Sequence, residues 1–185
     1  MLEIVLVLIG MILIFLVKSI YFSIFVIFVL VGMVIPGLYS MVKGAPYLRT
    51  SAKRIKIMMR LGEFTDRDVV VDLGCGDGRV IREVARKGVK EAIGLEFSIP
   101  TFLLAEVMRV WGRGGEKILF RNFWKYDFSE VGVLICFLLA GSMGEFEKNI
   151  WPKLKKGTRV LVNEFSMKGI KSDKEEGRVF LYVKK

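Results

Sequence analysis

Hydrophobic and polar positions divide the chain into two parts. Between Ile4 and Tyr39 the only charged residue is Lys18, whereas charged and apolar residues are interspersed from Ser40 to the end. The first pattern is typical of a membrane segment and the second of a globular domain. We therefore predict a membrane anchor over 1–39, a connecting segment over 40–50 and one domain over 51–185, which is near the usual domain size.

The apolar segment is longer than one straight span requires. About 20 residues cross the hydrocarbon core of a bilayer, and Lys18-Ser19 is the polar break within the run. Two arrangements fit: two short spans over 3–17 and 20–37, which we favour, or one span with the remainder tilted or interfacial. A buried hairpin in a soluble protein is a third, less favoured interpretation. Pro36-Gly37 predicts the end of the helical run.

In the globular part, helical periodicity recurs between short apolar runs. Helices are predicted over 51–61, from Val80, after Ser98, and after the capping box formed by Ser142 and Glu145. The helix after Ser98 is expected to turn five apolar side chains inward: Leu103, Leu104, Val107, Met108 and Trp111.

Between these helices the apolar runs predict strands over 69–71, 91–97, 117–120, 131–139, 158–165 and 178–183. The alternation indicates an α/β fold, with a doubly wound, mostly parallel, Rossmann-like sheet. A charged turn over 169–177 is too short for a helical crossover, so the last strand should pair antiparallel with the strand before it.

Charge and composition restrict the chemistry. The net charge is +10 and the chain has no histidine and two cysteines, so an imidazole base is absent, a metal site is not expected and no disulfide framework is indicated. We interpret the positive charge as attraction to anionic lipid headgroups; nucleic-acid binding is less favoured because no such motif is present. Six cations between Lys43 and Arg60 predict that the domain lies on the cytoplasmic side.

The stretch Val69-Val70-Val71-Asp72-Leu73-Gly74-Cys75-Gly76-Asp77-Gly78 places a glycine-rich loop after a strand and before a helix, where α/β sheets bind ligands. A dinucleotide fingerprint requires a further glycine, but Arg79 stands there. The Asp72 carboxylate would repel a pyrophosphate and suits a ligand with a cationic end. The loop therefore favours S-adenosylmethionine over NAD, with cofactor contacts at Asp72, Gly74, Cys75, Gly76, Asp77 and Gly78.

Two further positions complete the predicted cofactor site. Glu96 ends the second strand and can accept hydrogen bonds from ribose hydroxyls. Asn122 follows the third strand and can exchange hydrogen bonds with an adenine ring. Phe123 or Trp124 can stack on that ring, although both also suit ordinary core packing.

These motifs, DLGCGDGR, GLEFS and FRNFWKYD, resemble those of the seven-β-strand class I methyltransferases. The stretch GAPYLRT after an apolar N-terminus is similar to the membrane-anchored protein lysine methyltransferases, whose mitochondrial members modify the ATP synthase c subunit and the adenine nucleotide translocase, and to small archaeal and bacterial lysine methyltransferases. The resemblance covers residues 40–185. It implies a methyltransferase domain over 51–185 and a segment over 40–50 that covers the cofactor, with Thr50 as a contact.

The chain departs from the family pattern at several positions. Arg49 replaces a proline, Asn122 replaces an aspartate, and Ala140-Gly141 stands where a proline is common. Because only one strand is predicted after the fifth, the sheet is expected to fall short of seven strands.

Methyl transfer to an amine depends on alignment and desolvation, which agrees with the absence of histidine. Tyr47, Phe137 and Phe165 are the candidates for an apolar substrate channel, and no general base is identified. Three functions remain open: lysine methylation of a membrane protein, methylation of a lipid or quinone headgroup, and an inactive cofactor-binding membrane module.

Overall fold

The computed structural model describes residues 12, 15, 20–43, 48–112 and 114–185, with side chains left undescribed over 33–43. Tyr47 lies outside the described residues, so its expected place in a substrate channel stays a prediction. The chain divides into two units, one ending at Pro36 and the other beginning at Gly37.

Helix α1 (Ile20–Lys43) contains the second half of the apolar segment. It continues through Pro36-Gly37, so the predicted helix end there is wrong. A proline removes one backbone hydrogen bond, and that local cost does not have to end a helix with many other bonds. Among the described side chains of α1, Tyr21, Phe25 and Phe28 are all exposed. Within the described part of the chain, no helix has the combination of length and apolar character needed to cross a bilayer.

The domain is built on a seven-stranded sheet. The strands are β1 (Val69–Leu73), β2 (Glu91–Glu96), β3 (Lys117–Phe120), β4 (Val133–Cys136), β5 (Arg159–Asn163), β6 (Lys174–Glu176) and β7 (Val179–Val183). Their order across the sheet is β3-β2-β1-β4-β5-β7-β6. The first five strands pair in parallel, and β7 pairs antiparallel with both β5 and β6.

This topology confirms the mostly parallel sheet and the antiparallel last strand. The expectation of fewer than seven strands is wrong, because β6 lies within the stretch predicted to be a charged turn. All three residues of β6 are charged and exposed. An edge strand of this kind has no hydrophobic alternation from which it could be recognised.

Among the described residues of the domain, four α-helices accompany the sheet: α2 (Ala52–Leu61), α3 (Arg79–Ala85), α4 (Ile99–Trp111) and α5 (Ala140–Asn149). Helix α5 begins two residues before Ser142 and has no side-chain cap, so the predicted capping box does not start it. Two short 3-10 helices are also described: Phe123–Lys125 comes after β3, and Trp151–Lys153 comes after α5.

Alternate residues along the strands enter two different hydrophobic cores. In β4, Leu134 joins the core that includes Phe146 of α5, while Ile135 joins the core that includes Met58 of α2 and Ile81 of α3. Because both faces of the sheet are covered by helices, the sheet is doubly wound, as predicted.

Helix α4 departs from its predicted orientation. Ala105 is its one fully buried residue, and all five side chains expected to point inward are exposed. The helix is apolar around most of its circumference, so periodicity could not identify the packed face. Small Ala105 lies against the loop that precedes α3, near Gly78, and a small residue allows that close approach.

Candidate active site

The loop between β1 and α3 turns through three left-handed glycines. Gly74, Gly76 and Gly78 have φ values of 71°, 59° and 75°, a region that costs other residues roughly 1–2 kcal/mol each. The backbone N–H groups of Gly74 and Cys75 both donate to the carbonyl oxygen of Leu95, at 2.9 and 3.0 Å. A side-chain carbon at Gly74 would have no atom within 4 Å. The loop is thus fixed to β2 while its surface at Gly74 stays open to a ligand.

Cys75 turns away from this open surface. Its side chain is buried, and a side-chain carbon added to Gly94 of β2 would lie 2.6 Å from the Cys75 Sγ. Burial, followed by the charges of Asp72 and Glu96, raises the pKa of the Cys75 thiol well above its usual value. The thiol is therefore a neutral packing group, and only the backbone of Cys75 can serve a ligand.

Three carboxylates gather at this loop: Asp72, Asp77 and Glu96, each at most 8% exposed. The pKa of Asp72 is raised to about 7, first by burial and then by the charges of Glu96 and Asp77. Burial also raises the pKa of Glu96, against the opposing effect of its backbone hydrogen bonds. Within the described part of the chain, neither Asp72 nor Glu96 forms an ion pair.

Glu96 is held by backbone donors on both oxygens. Its Oε1 accepts from the N–H groups of Phe97 and Ser98, at 2.9 and 2.8 Å, and its Oε2 accepts from Gly76 at 3.1 Å. A carboxylate oxygen has about two acceptor sites, so the remaining acceptor capacity lies on Oε2. Glu96 thereby links the end of β2 to the glycine loop and keeps a position for an additional donor.

Asp77 is paired within the loop. The Arg79 Nε donates to both carboxylate oxygens at 3.0 Å, and its Nη2 donates to Oδ2 at 2.6 Å. Arg79 also reaches the carbonyl oxygen of buried Thr50 at 3.5 Å. Sequence reasoning used Arg79 only to exclude a dinucleotide fingerprint, yet it connects the segment before α2 to the glycine loop.

The residues after β3 are ordered by a local cap. The Asn122 Oδ1 accepts from the N–H of Trp124 at 3.0 Å, and Asn122 is half-buried. Phe123 is buried in the core beside Leu95, with its ring centroid 4.7 Å from that of Trp124. Phe123 thus has the core-packing role that sequence reasoning left open, and its predicted contact with adenine stays a prediction.

At the carboxyl end of β5 the structure forms a cluster that the sequence did not indicate. Asn163 is fully buried; its Oδ1 accepts from Arg54 of α2 at 3.3 Å, and its Nδ2 has no hydrogen-bond partner. The next residue, Glu164, has a φ of 75° and pairs with both Arg54 and Arg178. Residues other than glycine that adopt a left-handed backbone are concentrated at functional sites. No sequence motif identifies Glu164 as such a residue.

A cavity of about 210 Å³ opens beside this cluster, with Phe165, Met143 and Arg178 in its wall. Phe137 is half-buried directly after β4 and does not line this cavity. Of the three predicted channel residues, the structure therefore places Phe165 at a cavity on the carboxyl edge of the sheet. The role of Phe137 and Phe165 in a channel remains a prediction.

The donor set fits S-adenosylmethionine. Two buried carboxylates without a cationic partner lie here: Asp72 complements the ammonium charge of that molecule, and Glu96 keeps an acceptor position for a ribose hydroxyl. The glycine loop leaves open space beside them. A phosphate group at the loop would be repelled by the Asp72 carboxylate. No group of three or more potential metal ligands occurs among the described residues.

Several solved methyltransferases share this fold. An RNA methyltransferase from Salinibacter ruber, in complex with S-adenosylhomocysteine, matches with a TM-score of 0.67 and 24% identity over 74% of this chain and 94% of that one. An S-adenosylmethionine-dependent O-methyltransferase from Thermotoga maritima matches with a TM-score of 0.55 and 19% identity over 66% of this chain and 48% of that one. At these identities the likeness shows the fold alone.

The sheet order, the glycine loop after β1 and the carboxylate that ends β2 define a class I, S-adenosylmethionine-dependent methyltransferase. The ANTKMT methyltransferase domain matches residues 72–174, and the chain belongs to this family.

Two relatives show the range of the family. A protein-lysine N-methyltransferase from Saccharolobus islandicus is 35% identical over 133 residues, covering 70% of this chain and 83% of the relative. The lysine N-methyltransferase of the ATP synthase c subunit from Mus musculus is 27% identical over 123 residues, covering 65% of this chain. The match spans 49% of the mouse protein.

Proposed function

We propose that this methyltransferase modifies a lysine side chain of a protein close to a membrane surface, and that residues 1–39 associate with the membrane. The observation that carries the enzymatic part is the buried pair Asp72 and Glu96 beside the open face of the glycine loop. The lysine acceptor is supported by relatives named as protein-lysine methyltransferases.

The cofactor would be held by the loop and by the two strand ends that flank it. Asp72 receives the cationic amino-acid end, and the free acceptor position on the Glu96 Oε2 receives a ribose hydroxyl. Asn122 and Phe123 border the adenine, and Thr50 covers the site from the chain that precedes α2. Arg79 keeps this cover in place through its contacts with Asp77 and Thr50.

When bound, S-adenosylmethionine supplies an electrophilic methyl group that leaves its sulfur as the acceptor nitrogen attacks. The protein must align the acceptor with that methyl carbon and present it as a neutral amine. At pH 7 an ordinary lysine is neutral in about one molecule in a few thousand, a cost of roughly 4–5 kcal/mol. An apolar channel lowers the pKa of lysine by disfavouring the charged form, and the cavity beside Phe165 is the candidate for it.

Membrane association is supported by composition. Residues 4–39 contain one charge, and most of the described side chains of α1 are large, apolar and exposed. The +10 charge suits the anionic cytoplasmic leaflet, and the cations from Lys43 to Arg60 favour a cytoplasmic domain. A lipid or quinone headgroup is the alternative acceptor, because the same anchor would bring the site to either substrate.

Cofactor binding is tested by calorimetry with S-adenosylhomocysteine. We expect Glu96→Ala to weaken binding by about 1–3 kcal/mol, the usual cost of leaving a buried hydrogen-bonding group without its partner. Glu91→Ala is the matched control, because Glu91 begins the same strand and pairs with Lys117 instead. Failure of the wild-type chain to bind, or tight binding of NAD in its place, would contradict the proposed cofactor site.

The acceptor is tested by incubating the full chain with methyl-labelled cofactor and native membranes. We expect the label in protein, on a lysine identified by mass spectrometry. If the label enters lipid or quinone and no lysine gains methyl groups, the alternative acceptor replaces the lysine. Binding of the cofactor without transfer to either fraction would favour the inactive module.

A further inference from the structure

The outer face of α4 is a continuous apolar surface. Trp111, Val110 and Leu103 are 78%, 64% and 54% exposed. Leu104, Val107 and Met108 are exposed between them. At 100° per residue these side chains cover nearly half of the helix circumference, while Glu106 and Arg109 pair with each other toward its flank.

An exposed apolar patch of this extent, rimmed by polar residues, is typical of an interaction surface. The face belongs to a helix whose buried side is already packed against β2 and β3. None of its side chains belongs to the proposed cofactor site, which lies at the glycine loop and at the ends of β2 and β3. Neither the packing of the fold nor cofactor binding therefore accounts for this face.

Basic side chains surround one end of this face. A cleft of about 470 Å³ between α2, α3 and α4 is lined by Met108 and Trp111 together with four arginines, Arg49, Arg79, Arg82 and Arg86. Its one acidic lining residue, Glu83, pairs with Arg86, so the cleft keeps an excess of positive charge. Arg49 and Arg86 are both exposed. The pattern combines an apolar surface containing a tryptophan with neighbouring cations, which is the pattern of helices that lie in the bilayer interface.

The domain follows residues 1–39 after a short connecting stretch of sequence. Arg49, which lines the cleft, lies ten residues beyond Tyr39 in the chain. A domain joined so closely to a membrane-associated segment cannot move far from the bilayer.

We propose that the exposed face of α4 lies on a bilayer that contains anionic lipid, with Trp111 and Val110 at the level of the upper acyl chains and Arg49 and Arg86 beside the headgroups. The proposal rests on the membrane association proposed above. A second copy of the chain is a poorer occupant, because two domains of this net charge repel each other.

Lipid quenching of tryptophan fluorescence tests this contact. The full chain is reconstituted into vesicles of phosphatidylcholine and phosphatidylglycerol, with and without brominated acyl chains, and vesicle association is checked by flotation. We expect brominated lipid to quench the emission. The lipid-dependent quenching should be lost in Trp111→Phe, which retains an apolar ring, and kept in Trp151→Phe, because Trp151 packs against Tyr182.

A charged substitution supplies the second measurement. Val110→Asp should still float with the vesicles through residues 1–39 but should lose most of the lipid-dependent quenching, and its binding of S-adenosylhomocysteine should equal that of the wild type. Val110 is largely exposed, so this change removes no core contact.

The outcomes separate the two proposals. A chain that floats but whose Trp111 is not quenched overturns docking through α4 and leaves membrane association standing. A chain that does not float overturns both. Cross-linking of two chains through position 111, without lipid quenching, shows that a second copy covers the face and also overturns the proposal.

Discussion

Replacing Asp72 by asparagine should separate folding stability from cofactor binding. Asp72 is 5% exposed and sits beside two other carboxylates, and its pKa is raised to about 7 from an ordinary value of 3.8. A raised carboxyl pKa means that the folded state disfavours the charged form. The cost is small below the unfolded-state pKa, increases as the pH rises toward 7, and is constant above it.

The magnitude follows from linkage. A shift of about 3 units corresponds to about 4 kcal/mol at pH 8 and to about 1 kcal/mol at pH 4.5, as order-of-magnitude values. The asparagine side chain would avoid the charge but would bury an amide, which costs roughly 1–3 kcal/mol independently of pH. We therefore expect Asp72→Asn to be about 2 kcal/mol more stable than the wild type at pH 8, and its advantage to fall by about 3 kcal/mol at pH 4.5.

The assay is urea unfolding of the purified full chain in detergent, without cofactor, at both pH values. Asp127→Asn is the control: the pKa of Asp127 is lowered, mainly by hydrogen bonds from Ser129, so its small effect should have the opposite sign. If the stability difference between Asp72→Asn and the wild type does not change with pH, the Asp72 carboxyl does not titrate in this range and the reasoning is wrong.

The same carboxylate gives cofactor binding a pH dependence. A cationic ligand favours the ionised form of Asp72, so binding should weaken as the pH falls through about 7. In Asp72→Asn we expect weak binding that lacks this dependence. Calorimetry across pH 5.5 to 8 in about three steps measures the affinity of the wild type and of the variant. If the wild type binds with equal affinity at all pH values, Asp72 is not the partner of the cationic end.

Two further predictions concern packing and the cluster beyond β5. Gly94→Ala should weaken cofactor binding and lower the free energy of unfolding by about 1–3 kcal/mol, because the added carbon would lie 2.6 Å from the Cys75 Sγ. Calorimetry and urea unfolding measure the two effects. In the control Gly115→Ala, where nothing lies within 4 Å of the added carbon, cofactor affinity and stability should both stay unchanged. Arg54→Ala should cost about 1–3 kcal/mol in urea unfolding, because it removes the hydrogen-bond donor to fully buried Asn163, and unchanged stability would show that this cluster does not support the fold.

The residues of the proposed cofactor site were mostly recognisable from local sequence. Gly74, Gly76 and Gly78 announce the turn because few other residues adopt their backbone conformation, and Asp72 and Glu96 are recognisable as carboxylates at strand ends. The pairing of Arg79 with Asp77 and Thr50 could not be read, because it joins the glycine loop to a segment that is distant in sequence.

The direction in which a side chain points could not be predicted from the local sequence. Cys75 lies inside the glycine loop in sequence but packs against Gly94 of the next strand, and Phe123 entered the core. In both cases contacts with residues distant in sequence accompany the orientation. The sequence offers no measure of those contacts.

The sequence by itself determined the order of the domain's helices and of six of its seven strands, the glycine loop and the excess of apolar residues before Ser40, since these depend on residue types and short spacings. Only the tertiary structure decided that β6 exists, that Glu164 adopts a left-handed backbone between two arginines, and that α4 faces outward. Those features depend on which surfaces meet across the sheet. The spacing of apolar residues shows that α4 is apolar but does not show which side of it is buried. The side that packs is the one on which small Ala105 fits closely against the glycine loop.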